Sequence, residues 1–318
     1  MSTSAPQPGP APRPPGERPA LLGPNRYGKA ECRVVRVTRA GATHHIKDLN
    51  VSVALSGDLE EAHRSGSNAH VLPTDTAKNT VYAFAREHGI ASPEQFGILL
   101  ARHFVTSQEP LHRARIRVEE YAWERIGTAG AGPPRHSFVR KGQEVRTAQV
   151  TFDGARWEVL SGLKDLMVLN STNSEFRGYA RDRYTTLQET GDRILATRVT
   201  ALWRHHWAGE ARAVPSWDPS WTEARSHLLA AFADTYSLSL QQTLFEMGTR
   251  VIDKLPGIDE IRFALPNRHH FPADLEPFGL TNDNEVYYVS DRPYGLIEAT
   301  VLRPGAEAVI PADLTGPL

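Results

Sequence analysis

The sequence predicts an α+β fold made of two units, each with two strands, two helices and two further strands. Three observations predict it. Runs in which apolar and polar residues alternate, as in half-buried strands, occur in pairs. Two segments with apolar residues at helical spacing separate one pair from the next. This order occurs twice along the 318 residues. We therefore expect antiparallel strands backed by helices.

The first unit is predicted to span residues 26–154. Its strands are expected at 31–39, 45–55, 114–125 and 137–152. The first helix is expected at 75–87 and ends before Gly89, because glycine favours helix ends. The second is expected to begin after Ser92, a favoured N-cap residue, with Pro93 at its first position.

The second unit is predicted to span residues 155–305. Its strands are expected at 157–169, 193–203, 258–265 and 296–302. Asp218 and Pro219 are expected to open its first helix. Its second helix would bury a stripe formed by Leu240, Leu244, Val251 and Leu255. That helix is expected to end at Pro256.

Composition excludes several classes of protein. The formal net charge of −1 leaves no basic surface field for nucleic acid or an anionic membrane. No apolar run approaches the roughly 20 residues that a spanning helix needs. A single cysteine, Cys32, excludes an internal disulfide and a cysteine-cluster metal site. Residues 1–25 are proline-rich and are predicted to be a disordered extension without a secretory signal, and 306–318 to be a tail. We expect a cytoplasmic protein.

The segment 171–193 carries the clearest indication of a ligand. It places the planar ring of Phe176 ahead of Arg193, among many hydroxyl and amide groups. A flat apolar face beside a forked guanidinium suits a flat, anionic, hydrogen-bonding heterocycle. This pattern suits a phosphate, a metal or a nucleic-acid backbone less well.

Four other segments contain candidate residues. Lys29, before the first strand, is either a solvated charge or, in a dry pocket, a group able to relay protons. Thr74 and Asp75 are either N-cap residues or, for Thr74, a hydroxyl at the positive end of a helix. Gln241 is either a surface residue or an amide that matches the alternating donors and acceptors of a ureide edge.

The last candidate segment, 265–271, contains adjacent histidines. A metal site there is disfavoured, because neighbouring residues on a strand point to opposite faces and no other spacing completes a recognised ligand set. We therefore predict no metal. The pairs at 44–45 and 205–206 are expected to be strand or surface residues.

Together these segments resemble the urate oxidase family. The match in the first segment runs through Ser171, Thr172, Ser174, Phe176, Tyr179, Tyr184, Leu187 and Arg193. The other matches are at 26–29, 73–80, 239–241 and 265–271, so the resemblance spans most of the chain. Two departures stand out: Asn170, where the family usually has lysine, and Leu240, where it often has valine. The first is expected to change a flanking charge, and the second little, since that contact is from the backbone.

The resemblance implies a tandem tunnelling fold, in which paired units associate into a multi-subunit β-barrel. It implies oxidation of urate by dioxygen to 5-hydroxyisourate and hydrogen peroxide, with no cofactor. Phe176 would stack on the purine, Arg193 and Gln241 would grip opposite edges, and backbone near Asp75 and Leu240 would set the register. The implied proton relay consists of Lys29, Thr74 and His269, and Asn267 would lie over the site for water or dioxygen.

The family also implies a homotetramer whose active sites are shared between subunits, with Lys29, Thr74 and Asp75 facing the other residues across an interface. Two alternatives stay open. A pteridine enzyme of the same fold would also bind a flat heterocycle, although such enzymes typically anchor the ring with a glutamate. A non-catalytic purine-binding oligomer would not need Lys29, Thr74 and His269 together.

Overall fold

The computed structural model describes residues 20–127, 136–209 and 211–312. Most of the predicted proline-rich extension, residues 1–19, and the end of the predicted tail, residues 313–318, lie outside the described residues. Within the described ranges, no helix is long and apolar enough to cross a membrane.

Twelve strands and five α-helices make up the described chain. The strands are Tyr27–Ala40 (β1), Thr43–Gly57 (β2), Leu111–Glu120 (β3), Trp123–Arg125 (β4), Phe138–Arg140 (β5), Val145–Phe152 (β6), Trp157–Asn170 (β7), Leu195–His205 (β8), Ile258–Pro266 (β9), His269–Pro272 (β10), Tyr287–Ser290 (β11) and Leu296–Leu302 (β12). The helices are Glu60–Arg64 (α1), Thr74–Glu87 (α2), Pro93–Ser107 (α3), Trp217–Asp234 (α4) and Leu240–Lys254 (α5).

Eight strands form one antiparallel sheet in the order β1-β2-β3-β6-β7-β8-β9-β12. The predicted α+β class with an antiparallel, helix-backed sheet is therefore confirmed. The two predicted units meet at β6 and β7, which pair from Phe152 opposite Trp157 to Val145 opposite Lys164. One continuous sheet thus carries both units, with β1 and β12 at its edges.

The helices cover one face of the sheet and bury two hydrophobic cores. Helices α2 and α3 pack on the first half, around side chains such as Phe96 and Ile116. Helices α4 and α5 pack on the second half, around side chains such as Trp203 and Phe263. The first core also contains Trp217 from the start of α4, so the two units share packing at their junction.

The capping prediction for α3 is confirmed, since Ser92 Oγ accepts a hydrogen bond from the Gln95 amide at 3.1 Å. The strands predicted at 114–125 and 137–152 are each divided. Their outer parts leave the main sheet and pair with each other as β4 and β5. The ribbon of β10 and β11 was not predicted, because its strands have only four residues each, too few for a periodic pattern.

Candidate functional site

The loop between β7 and β8 presents the ring of Phe176. Two backbone hydrogen bonds hold the base of this loop: Phe176 N to Thr190 O at 2.9 Å, and Thr190 N to Phe176 O at 3.1 Å. The ring of Tyr179 stacks on Phe176, with centroids 4.9 Å apart and planes 15° apart. A planar ligand would therefore stack on the face that Tyr179 leaves uncovered. The sequence placed Tyr179 in the motif but did not predict that it stacks on Phe176.

Arg193 lies beside Phe176 at the end of the same loop. Its guanidinium carbon is 5.1 Å from the Phe176 centroid. Its Nε donates to Ser174 Oγ at 3.3 Å, and among the described residues no carboxylate pairs with it. Burial lowers the pKa of Arg193 from its ordinary value, because a charge is costly out of water. A half-buried cation without an anionic partner is suited to bind an anionic ligand.

The N-terminus of α5 is tied to this loop. Glu175 N donates to Ser237 O at 2.8 Å, and Ser237 N donates to Asn173 O at 2.9 Å. Ser239 is the N-cap of α5, and its Oγ accepts from the Gln242 amide at 3.2 Å. The next two residues, Leu240 and Gln241, supply backbone N–H groups that no helical carbonyl can satisfy.

The two residues differ in exposure. The Leu240 side chain packs in the second core, so only its backbone can reach a ligand. The Gln241 side chain is exposed. An exposed amide beside free N–H groups offers donors and an acceptor at one helix end.

Asn267 and His269 approach from the end of β9. Asn267 forms an isolated bridge with Thr197 on β8. The backbone N–H of Asn267 donates to Gly295 O at 2.8 Å. The pKa of His269 is lowered, first by burial and then by the charge of Arg193. The Arg268 backbone N–H donates to Ala196 O at 2.8 Å, so His269 follows a residue that is bonded to the start of β8, near Arg193. The structure thus brings Phe176, Arg193 and His269 to the same end of β8 as Asn267.

Lys29 lies at the other edge of the sheet, at the start of β1. Gly28 precedes it because a Cβ there would come within 1.9 Å of Val53 O. The Tyr27 hydroxyl accepts a hydrogen bond from the Leu72 amide at 2.8 Å, which holds the segment before α2 against β1. The sequence did not predict a role for Tyr27, although Tyr27 lies in the same motif as Lys29.

The interpretation of Thr74 and Asp75 as helix N-cap residues is wrong. Pro73 occupies the N-cap position of α2 and makes no side-chain capping bond. Thr74 is the first helical residue, and the Asp75 carboxylate accepts from Lys78 and Asn79 within the helix. The hydrogen bond from Lys78 lowers the pKa of Asp75, and the charge of Lys29 adds to this effect. The hydrogen bond between Tyr27 and Leu72 brings the start of β1, which includes Lys29, close to the segment that leads into α2.

The two groups of residues are far apart within one chain. In the sheet order β1-β2-β3-β6-β7-β8, five steps separate Lys29 on β1 from the end of β8 near Arg193. At about 4.8 Å per step, this is on the order of 24 Å. One chain therefore presents two partial sites.

Asn170, one of the two departures from the family pattern, has a packing role. Its Nδ2 donates to the Phe232 carbonyl oxygen at 2.9 Å, near the end of α4. This bond satisfies one of the last carbonyl groups of the helix and links it to the end of β7. The residue therefore stabilises the base of the loop that carries Phe176.

One cavity is a separate feature. It has a volume of about 1050 Å³, lies between α4 and the first half of the sheet, and contains none of the predicted site residues. Several of its charged side chains pair with each other, for example Arg225 with Glu144 at 2.6 Å and Arg146 with Asp218 at 2.6 Å. Within the three described ranges, no group of three or more His, Cys, Asp or Glu residues could hold a metal ion.

Comparison with known proteins gives one family. The family model described as Uricase matches residues 25–151 and 159–298. The uricase of Arthrobacter globiformis is 50% identical over 288 residues, which are 91% of this chain and 92% of that protein. The uricase of Aspergillus flavus is 37% identical over 289 residues, which are 87% of this chain and 95% of that protein.

Solved structures give the same result. The crystal structure of uricase from Arthrobacter globiformis matches with a TM-score of 0.87 and 49% identity, covering 94% of this chain and 100% of that chain. The urate oxidase of Bacillus sp. TB-90 matches with a TM-score of 0.75 and 21% identity, covering 88% of this chain and 100% of that chain. The second likeness shows the fold alone.

Proposed function

This chain belongs to the uricase family and is an oxidoreductase that acts on urate, and from this premise we propose which of its residues bind urate and which move protons. In the reaction, dioxygen and water convert urate into 5-hydroxyisourate and hydrogen peroxide. The observation that carries the residue assignment is the half-buried guanidinium of Arg193, which lies 5.1 Å from the Phe176 centroid and has no carboxylate partner among the described residues.

Urate binds as a flat anion that is held at two opposite edges. We call the groups that hold these edges the two grips: Arg193 is one, and Gln241 at the N-terminus of α5 is the other. The ring of Phe176 stacks on the purine, and the free nitrogens of Arg193 bond one edge of it. The side-chain amide of Gln241 bonds the opposite edge, where a ureide alternates donor and acceptor groups. The backbone amides at Leu240 and at Asp75 set the register of the ring. The connection of Ser237 to the 173–175 backbone supports this arrangement, since it holds both grips on one framework.

Protons move through Lys29, Thr74 and His269. The lowered pKa of His269 favours a neutral imidazole near neutral pH, and a neutral imidazole both accepts and donates a proton. Thr74 offers a hydroxyl at the first turn of α2, near Lys29. Asn267 lies over the position of water or dioxygen. Electron-rich urate is itself the reductant, so the chemistry needs no organic cofactor, and no metal is proposed.

The active sites are shared between subunits of a homotetramer. The separation of Lys29 from Arg193 within one chain supports this proposal, because a relay requires groups within hydrogen-bond reach. The open edges of the sheet support it too. Strand β1 has 14 residues, and among the described residues no strand pairs with its outer edge. Such edges are usually covered in a native assembly. Pairing with a second subunit would close the sheets into the β-barrel of the tunnelling fold.

The activity is tested by following the ultraviolet absorbance of urate in metal-free buffer with a chelator present. We expect absorbance to fall while oxygen is consumed and hydrogen peroxide appears in equal amounts. Binding of urate without turnover would support the non-catalytic oligomer, and turnover of a pterin with urate unchanged would support the alternative enzyme. Loss of activity with the chelator, restored by added metal, would contradict the metal-free mechanism.

The predicted cytoplasmic location stays a prediction. Subcellular fractionation of the native host would test it, with recovery of the protein in a membrane or extracellular fraction as the contrary result.

A further inference from the structure

Three buried hydroxyl groups connect the two grips of the proposed urate site. The side chains of Ser174, Ser237 and Thr243 are fully buried. Burying a hydroxyl group costs free energy unless the group forms hydrogen bonds. Three buried hydroxyl groups close together therefore indicate a hydrogen-bond network rather than residues that only fill space. None of the three has a role in the reaction described above.

The first link joins Ser174 to Arg193. Nε of Arg193 donates to Ser174 Oγ at 3.3 Å. A guanidinium presents two edges to an anion, one with Nε and one Nη, and the other with both Nη atoms. Because Ser174 occupies Nε, the edge with both Nη atoms is left for a ligand. The serine therefore selects which edge of the arginine faces outward.

The second link joins Ser174 to Ser237 through the backbone. The two residues form an isolated parallel bridge, with Glu175 N bonded to Ser237 O at 2.8 Å and Ser237 N bonded to Asn173 O at 2.9 Å. Residues paired in this way lie about 4.8 Å apart. These bonds fix the position of Ser174, and with it Arg193, relative to the segment that precedes α5.

The third link joins Ser237 to the first turn of α5. Thr243 Oγ1 donates to Ser237 Oγ at 2.8 Å, and Ser237 Oγ donates to Ser239 O at 3.2 Å. Ser239 is the N-cap that precedes Leu240 and Gln241. The three links form a continuous path from the guanidinium to the helix end that carries the opposite grip.

We propose that Ser174 is a positioning residue for urate binding, and that Ser237 and Thr243 complete a network of side-chain and backbone hydrogen bonds that sets the spacing between Arg193 and the N-terminus of α5. The network acts through Arg193 and does not touch the ligand. A planar anion that is bound at two edges requires the two grips to lie at a fixed distance from each other. Loosening the network therefore weakens urate binding more than it lowers kcat. This inference rests on the proposed function.

The test measures urate affinity without turnover, by equilibrium dialysis under nitrogen, so that dioxygen is absent. Ser174→Ala is expected to raise the urate Kd about 5- to 10-fold, less than the full worth of a hydrogen bond to a charged group, because Arg193 is still present but is held less firmly. Thr243→Val keeps the side-chain shape and is expected to raise Kd about threefold, and Thr243→Ser, which keeps the hydroxyl, is expected to restore it. In air, KM should rise while kcat stays within about threefold of wild type.

A double-mutant cycle separates positioning from general destabilisation. If Ser174 acts through Arg193, adding Ser174→Ala to Arg193→Ala should change kcat/KM less than about twofold, measured from initial slopes at low urate. Equal effects in both backgrounds would contradict the inference. Ser161→Ala is the control, since Ser161 is also buried but bonds Glu94 and His205 instead; its urate Kd should match wild type.

The outcomes distinguish this inference from the proposed function. Wild-type protein that neither binds nor oxidises urate would remove both. Wild-type turnover combined with an unchanged urate Kd in Ser174→Ala would remove the inference alone.

Discussion

The guanidinium carbon of Arg193 lies 5.1 Å from the centre of the Phe176 ring, at the end of one loop. The loop therefore carries both an apolar plane and a cation without an acidic partner among the described residues. An apolar plane alone would bind any flat molecule, and a cation alone would bind any small anion. Their contact restricts the ligand to a flat anion.

Arg193→Ala is expected to raise the KM for urate by about 10- to 100-fold, because it removes a charge-assisted, two-point contact. Arg193→Lys should recover only part of this loss, since an ammonium cannot form the fork. Steady-state kinetics with urate would measure both. Arg250→Ala, which removes an arginine on α5 that pairs with Asp234, serves as the control and should leave KM unchanged. Wild-type affinity in Arg193→Ala would disprove the proposed binding geometry.

Lys29→Ala and Thr74→Ala are each expected to lower kcat by roughly 10²- to 10⁴-fold, because both residues belong to the proposed proton relay. The KM for urate should change little. Thr74→Ser, which keeps the hydroxyl, should retain most of the activity, and Lys254→Ala is a control for loss of an exposed lysine. Near-normal turnover in both alanine variants would refute the relay.

The proposed sharing of active sites predicts complementation, assayed at urate well below the wild-type KM, between variants that each impair one partial site. Lys29→Ala and Arg193→Ala lie in different partial sites, so a mixed assembly contains some sites in which both partial sites are intact. Co-expression of the two variants should restore about a quarter of wild-type activity if the chains mix at random in pairs. Each variant expressed alone is the control. Activity no higher than the sum of the two separate variants would mean that each chain holds a complete site.

Tyr27→Phe is expected to lower kcat several-fold with a small loss of stability. The change leaves the Leu72 amide without its acceptor, which costs about 1 kcal/mol and loosens the segment before Thr74. Thermal unfolding and steady-state kinetics would measure the two effects. Tyr288→Phe, on the exposed side of β11, is the matched control. A loss of stability with kcat unchanged would show that Tyr27 does not position the relay.

His205 is expected to destabilise the fold in acid. Burial lowers its pKa to about 4, helped by the charge of Arg146 and opposed by Asp259. Ser161 Oγ donates to Glu94, so the Nε2–H of a neutral His205 donates to Ser161 at 2.8 Å. Protonation at Nδ1 would leave this hydrogen bond in place but would put a positive charge on a fully buried ring, which is costly out of water.

The sign of the effect follows from the lowered pKa. Stability from the neutral His205 is fully present above pH about 6.5 and is lost as pH falls through about 4, by up to roughly 3 kcal/mol. Denaturant unfolding between pH 7 and pH 4 should show a weaker pH dependence in His205→Gln than in wild type. Identical slopes would mean that His205 does not titrate in this range.

Much of the fold was predictable because its signals are local. Ser92 caps α3 as its sequence context indicates, and the long strands begin and end near the limits of their alternating patterns. Arg193, in contrast, was expected to begin a strand but lies two residues before β8, where it is free to reach Ser174. The short ribbon of β10 and β11 and the Pro73 cap of α2 also escaped prediction, because neither depends on periodicity.

The sequence by itself determined the α+β class, the main helices and the candidate residues, because periodicity, capping and motif spacing are written in short segments. Only the tertiary structure decided which residues meet. Ser174 pairs with Ser237 across 63 positions, and Lys29 lies five strands from the end of β8 near Arg193. Strand order and register depend on long-range packing, which no local pattern specifies. This packing brings Arg193 and the residues around it together, and it places Lys29 in a separate partial site at the other edge of the sheet.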